Sequence, residues 1–258
     1  MNKKTVFITG AAAGIGRATA TMFAHNGWYV GLADIDEIGL KTLRETLGND
    51  NCQTFRLDVT SEQDWSDALS RFTSTSGRLD ALVNNAGILV SGPFESIPLS
   101  RQNALVDINI KGVMTGCHTA YPYMKATPGA CIVNLASASA IYGQPSLATY
   151  SATKFAVKGL TEALNLEWEK DDIRVIDILP LFVKTAMVTD MDAQSIRNMG
   201  VHLTADDVAS QIFRAASHRH SQWKVHWTVG LMTRVMYLSA MLSPDWMNRL
   251  ANKLVSRK

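Results

Sequence analysis

The chain has 258 residues, 47% hydrophobic and 19% charged, with a net charge of +2. Those proportions exclude a disordered chain and leave no electrostatic footprint for nucleic acid. The length suits one α/β domain around a single sheet, expected over residues 1–258.

Thr5 to Thr9 is a short β-branched and aromatic run that stops at a glycine cluster, and Arg17 to Asn26 then carries a helical pattern. The turn between them is Thr9-Gly10-Ala11-Ala12-Ala13-Gly14-Ile15-Gly16. Its glycines let the backbone bend sharply and approach a pyrophosphate, whose charge is met by N–H groups and the dipole at the helix start. A second strand, Trp28 to Ala33, ends at Asp34, eighteen residues past Gly16. A carboxylate there accepts hydrogen bonds from the adenosine ribose hydroxyls and repels a 2′-phosphate, which favours NAD over NADP. Arg17 is the counter-argument, a cation near the phosphates. Asp36 serves equally well to cap the helix that follows.

Cys52 to Leu57 reads as a third strand, leading into Asp58-Val59-Thr60, and Ser61 with Asp64 starts a helix that runs to about Ser76. Leu79 to Val83 is a fourth strand, closed by Asn84-Asn85-Ala86-Gly87, whose small and amide residues suit a loop pressed against a ligand. One long helix is expected from Leu99 to Met124, with Asn109 inside it and Pro122 near its end. A fifth strand, Ala130 to Leu135, delivers Ser137. The next helix carries Tyr150 and Lys154, four residues apart and so on one face, where an ammonium favours the ionised phenol. Ile173 to Leu179 is a sixth strand. Such alternation predicts a parallel sheet covered on both faces, with the ligand beyond the carboxyl ends of the strands, where Gly10, Asp34, Asn84, Ser137 and Pro180 fall.

These motifs, in this order, resemble the short-chain dehydrogenase/reductase family from about Thr5 to Thr185. The resemblance implies a Rossmann-type doubly wound sheet and an oxidoreductase. It places Gly10, Gly14, Ile15 and Gly16 at the pyrophosphate, Asp34 at the ribose, Asp58 and Val59 at the adenine, and Asn85, Ala86 and Gly87 between sheet and cofactor. Ser137, thirteen residues before Tyr150, would hold the substrate oxygen, with Ser139 a less suited neighbour. Tyr150 would be the acid or base, its pKa lowered by Lys154 and the nicotinamide ring. Lys154 would also bind the nicotinamide ribose, and Asn109 would anchor a water that passes the proton to solvent. After the sixth strand the family's Pro-Gly becomes Pro180-Leu181, a departure, while Val183 and Thr185 keep their expected contacts to the carboxamide.

Residues 185–203 are expected to cover the substrate, with Leu89, Ile141, Tyr142, Gln144, Leu181, Phe182, Met187 and Met191 lining its pocket. Their apolar character points to a hydrophobic secondary alcohol or ketone. The alternatives are an NADPH-dependent ketone or 3-oxoacyl reductase and a cofactor-sensing protein without turnover.

Instead of the family's glycine-rich final strand, Trp223 to Val229 leads into two amphipathic segments, about Leu231 to Leu242 and Pro244 to Val255. From residue 230 onward five basic residues face one acidic, a net +4. Such a tail suits an anionic membrane surface or, the reading the pattern favours, burial against the protein body or a neighbouring subunit. By resemblance the helices of Asn109 and Tyr150 would form a dimer face, in a homodimer or homotetramer. None of His25, His118, His202, His218, His220 and His226 forms a ligand set, and no metal is expected. Cys52, Cys117 and Cys131 are scattered packing residues, and with no export signal the expected setting is cytoplasmic.

Overall fold

The computed structural model describes residues 3–189, 191, 193–217 and 223–256. His218 and His220 therefore lie outside the described residues, as do Arg257 and Lys258. Seven parallel strands form one sheet in the order β3-β2-β1-β4-β5-β6-β7. They are β1 (Thr5–Thr9), β2 (Tyr29–Asp34), β3 (Cys52–Arg56), β4 (Ala81–Asn84), β5 (Cys131–Leu135), β6 (Arg174–Leu179) and β7 (His226–Thr228).

Burial on both faces explains the unbroken apolar runs. Val6, Ile8, Val83, Ile176 and Ile178 point to one face, where α1 (Gly14–His25), α2 (Glu37–Leu47) and α9 (Ala205–Ser217) contribute Phe23, Leu43 and Ile212. Phe7, Leu82, Val175 and Leu179 point to the other, against Trp65 and Phe72 of α3 (Glu62–Ser76), Cys117 of α5 (Gly112–Lys125) and Val157 of α6 (Ala148–Glu167). Alternation of side chains along each strand sorts one sequence run into two cores.

Two expectations need correction. The helix expected from Leu99 to Met124 is α4 (Leu99–Val106), a π-helical stretch Asp107–Lys111, and α5. The wide turn falls at Asn109, whose amide reaches the loop after β4 instead of facing its own helix. Six strands were expected, yet His226–Thr228 adds a seventh beside β6, with Trp227 buried in the first core. Its register is tied by the His226 ring on the buried Asp177 carboxylate, Nδ1 to Oδ2 at 2.9 Å. The chain then continues through α10 (Leu231–Leu242) and α11 (Asp245–Val255). The segment before α9 holds two short helices, α7 (Ala186–Thr189) and α8 (Gln194–Met199).

Candidate active site

Strand order reverses between β1 and β4, and a cleft of about 420 Å³ opens there at the carboxyl ends of the strands. Its phosphate end is built by close backbone packing. Gly10 and Gly14 have φ of +66° and +51°, which L side chains rarely adopt. A Cβ on Gly16 would lie 2.0 Å from the Gly10 carbonyl oxygen, so Gly16 sits beneath the cleft instead of in its wall and lets the first turn of α1 close on the loop. Asn85 fixes this loop from β4: its Nδ2 donates to the Thr9 carbonyl (2.8 Å) and the Gly10 carbonyl (3.2 Å). The Thr9 hydroxyl accepts from the N–H groups of Asn85 and Ala86, each at 3.1 Å.

At the far end Asp34 accepts from the Ala12 N–H with Oδ2 and from the Asp36 N–H with Oδ1, both at 3.0 Å. Asp36 caps α2 through the Gly39 N–H. The two aspartates thus divide the work between cleft and helix. Asp58 accepts from the Thr60 N–H (2.9 Å) and hydroxyl (2.7 Å), and the neighbouring Val59 carbonyl accepts from the Trp65 indole at 3.1 Å. Among the described residues lining the cleft, the charged ones are Asp34, Asp58 and Lys154, while Arg17 lies exposed outside it. A glycine-rich turn at the start of a helix, followed by a carboxylate at the end of the next strand, fits a dinucleotide cofactor.

Tyr150, Lys154 and Ser137 meet midway along the cleft. The Lys154 ammonium donates to the Leu135 carbonyl at 2.7 Å and stands 5.6 Å from the centre of the Tyr150 ring. Burial pulls its pKa down to about 8. Burial also pushes the Tyr150 phenol up to about 12, opposed by a hydrogen bond with the Ser137 side chain. Loss of water around the two groups sets both directions, because each charged form loses its hydration. Ser137 Oγ accepts from the Ser139 N–H at 3.1 Å and lies 3.3 Å from the Ser139 hydroxyl, so both serines stand at the same corner.

Asn109 is buried behind this set and does not line the cleft. Its Oδ1 accepts from the Ile88 N–H and its Nδ2 donates to the Ile88 carbonyl, both at 2.9 Å. Nδ2 also reaches the Thr153 hydroxyl at 3.3 Å, and that hydroxyl donates to the Tyr150 carbonyl at 2.7 Å. The amide therefore couples the wall residue Ile88 to the helix of Tyr150. A Cβ on Gly87 would come within 3.1 Å of the same Oδ1.

On the remaining side Leu89, Leu181, Phe182, Met187 and Met191 line the cleft, with Pro180, Val183 and Thr185 between. Ile88, Ile108 and Leu147 join them, although sequence reasoning did not single them out. Ile88 directly follows the Asn85-Ala86-Gly87 loop and was the most legible of the three. Ile141, Tyr142 and Gln144, in contrast, are not among the lining residues. Ile141 packs into the second core, Gln144 Nε2 contacts the Tyr142 hydroxyl at 3.4 Å, and the Gln144 N–H is held by the Ser151 hydroxyl at 3.1 Å. Leu181 keeps a negative φ, so the missing family glycine imposes no strain. Val183 bridges to Leu203, and the Lys184 N–H donates to the Leu203 carbonyl at 2.8 Å, which closes the 185–203 segment at its base.

With this geometry in view, the comparisons are specific. The family model for short chain dehydrogenases matches residues 4–196. Cyclopentanol dehydrogenase of Comamonas sp. is 34% identical over 189 residues, 72% of this chain and 76% of that protein. The 3-ketoacyl-(acyl-carrier-protein) reductase of Brucella melitensis, solved with NADH, superposes with a TM-score of 0.82 at 31% identity, covering 88% of this chain and 96% of its own. ElxO, solved with NADP, gives 0.82 at 28% identity over 92% and 99%. Among the described residues no helix is long and apolar enough to cross a membrane, and no group of three or more His, Cys, Asp or Glu side chains is arranged to hold a metal ion. The chain belongs to the short-chain dehydrogenase/reductase family, oxidoreductases that work with a nicotinamide cofactor.

Proposed function

We propose that the protein interconverts an apolar secondary alcohol and its ketone with NAD(H), using Tyr150 as the proton-transferring group. The observation that carries this reading is the meeting of Ser137, Tyr150 and Lys154 at a point where a cation-free adenosine end and an apolar wall share one cleft. When bound, the nicotinamide supplies the hydride acceptor or donor. Gly10, Gly14 and Ile15 would hold its pyrophosphate, Asp34 and Asp58 with Val59 the adenosine half, and Lys154, Val183 and Thr185 the nicotinamide half. Asn85, Ala86 and Gly87 support the middle.

The Ser137 hydroxyl positions the substrate oxygen beside the phenol. In reduction, neutral Tyr150 donates its proton to the ketone oxygen, the form that burial favours. In oxidation the phenol must first ionise, and the buried Lys154 ammonium is the group placed to stabilise the phenolate. Leu89, Leu181, Phe182, Met187 and Met191 exclude water and select apolar bulk. Homo-oligomers through α5 and α6 are part of the same proposal, supported by exposed Met114 and Phe155 on those helices.

The test is a panel of alcohols and ketones followed by cofactor absorbance with NAD(H) and NADP(H) in parallel. Turnover of cyclic or lipid-like alcohols with NAD, abolished in Tyr150→Phe with cofactor affinity retained, is the expected result. Turnover confined to small polyols would overturn the substrate class. A strong NADP preference would overturn the Asp34 argument in favour of an NADPH-dependent reductase.

A further inference from the structure

On α11 the usual amphipathic arrangement is inverted. Its amides are turned inward: Asn252 Nδ2 donates to the Gly143 carbonyl of the protein body at 2.7 Å, and Asn248 Nδ2 turns back on the Ser243 carbonyl between α10 and α11 at 3.1 Å. The Val255 carbonyl accepts from Asn198 of α8 at 2.8 Å. The apolar side chains of the helix point outward, with Trp246 67% and Leu254 60% exposed, and Met247 and Leu250 exposed between them. α10 behaves alike. Leu231, Val235, Leu238 and Leu242, spaced to form a single stripe, are all exposed, Leu242 to 86%, while Thr233 is buried beneath. A helix packed only against its own protein buries the apolar stripe and presents the polar one to solvent.

The charge beside these stripes identifies what covers them. Among the described residues of the two helices the charged side chains are Arg234, Arg249 and Lys253 against Asp245. At helical spacing Arg249 and Lys253 flank Trp246 and Leu250. In an isologous dimer the patch would meet itself, and one aspartate would answer three cations. An anionic lipid surface answers all three while taking the aromatic and leucine side chains into its acyl boundary.

We propose that the outward faces of α10 and α11 dock on an anionic lipid surface, lying in its plane. Helices of 12 and 11 residues are too short to span a bilayer. Because α11 is braced on Gly143, between Ser137 and Tyr150, and on Asn198, just beyond the Met187 and Met191 wall, docking would orient the substrate end of the cleft. That consequence rests on the proposed function, but docking itself does not.

Co-sedimentation of the full-length protein with vesicles of phosphatidylcholine, with and without phosphatidylglycerol, tests the proposal without any substrate. The wild type is expected to pellet with the phosphatidylglycerol vesicles, less with neutral ones, and less again as salt rises. Leu238→Glu combined with Leu250→Glu, both at exposed positions, should keep the circular dichroism spectrum and melting of the wild type but lose about tenfold or more in vesicle affinity. Arg249→Glu with Lys253→Glu should weaken binding to the anionic vesicles alone. Absence of pelleting, or pelleting unchanged in the leucine pair variant, would overturn the proposal. So would a dimer in sedimentation velocity that the leucine pair variant dissolves while vesicle binding is absent.

Discussion

At Lys154 burial shapes the titration as well as the geometry. An ammonium whose pKa falls from 10.5 to about 8 on folding binds fewer protons in the folded state than in the unfolded state between those values. Stability from this group therefore rises with pH across that window, and below pH 8 its burial costs of order 3 kcal/mol, about 1.36 kcal/mol per pKa unit. Lys154→Met removes this pH dependence. Its stability relative to wild type is thus predicted to be most favourable at pH 7 and to shrink steadily toward pH 10, measured by urea denaturation at a series of pH values. Asp34 works at the opposite end of the cleft. Both its oxygens are held by backbone N–H groups, so its carboxylate is fixed in place at the carboxyl end of β2. Asp34→Ser is predicted to narrow the preference for NAD over NADP by about tenfold or more, read from the two kcat/KM values, since removing a fixed like charge is worth about 1–2 kcal/mol at such a site. The spacing from Gly16 made Asp34 legible in the sequence. The direction of the Tyr150 and Lys154 shifts was not, because burial is decided by elements far away in the chain.

Among the elements, the break between α4 and α5 is the clearest case of tertiary structure overriding a local pattern. Residues Leu99 to Met124 read as one helix because their apolar periodicity is continuous, and it remains continuous through the π turn. No local residue type announces the extra residue per turn; the hydrogen bonds from Asn109 to Ile88 and Thr153 do, and those partners are 21 and 44 positions distant. Gly112 completes the fit, since a Cβ there would lie 2.8 Å from Val59. Asn109→Ala leaves the Ile88 N–H and carbonyl unpaired in a partly buried setting, which costs about 2–4 kcal/mol. The predicted result is a melting temperature lower by about 5–15 °C, at about 2–4 °C per kcal/mol. A loosened Ile88 wall should also raise KM for an apolar substrate more than it changes the affinity for cofactor. The strands and the glycine turn were legible because burial on both faces demands Val, Ile and Leu runs. β7 was not, because three residues carry no period and their place is set by one histidine.

That histidine links the scale of the whole molecule to the catalytic helix. His226 Nδ1 lies 2.9 Å from the Asp177 carboxylate of β6, and Nε2 lies 3.0 Å from Glu162 of α6, which is also paired with Lys158. Tyr237 of α10 packs on the same ring with centroids 5.8 Å apart. One side chain therefore ties the last two strands, the helix carrying Tyr150 and the first tail helix. Asp177 is fully buried, and burial raises its pKa against the opposing pull of His226. His226→Phe keeps a ring in the space but strips the carboxylate of its partner, and leaving a buried charge unpaired costs about 3 kcal/mol or more. The cost must depend on pH. A carboxyl group with a raised folded pKa binds more protons folded than unfolded, so its stabilising contribution is complete at low pH and is lost as pH climbs through the folded value. The variant should therefore melt closer to wild type at pH 5 than at pH 8. Adding Asp177→Asn to His226→Phe should recover much of the difference at pH 8, because a neutral amide carries a far smaller burial penalty than an unpaired carboxylate. Calorimetric melting of the three variants at both pH values checks this. A His226→Phe penalty equal at pH 5 and pH 8 would mean that ring packing against Tyr237, and not the Asp177 charge, is what the histidine contributes to the joint.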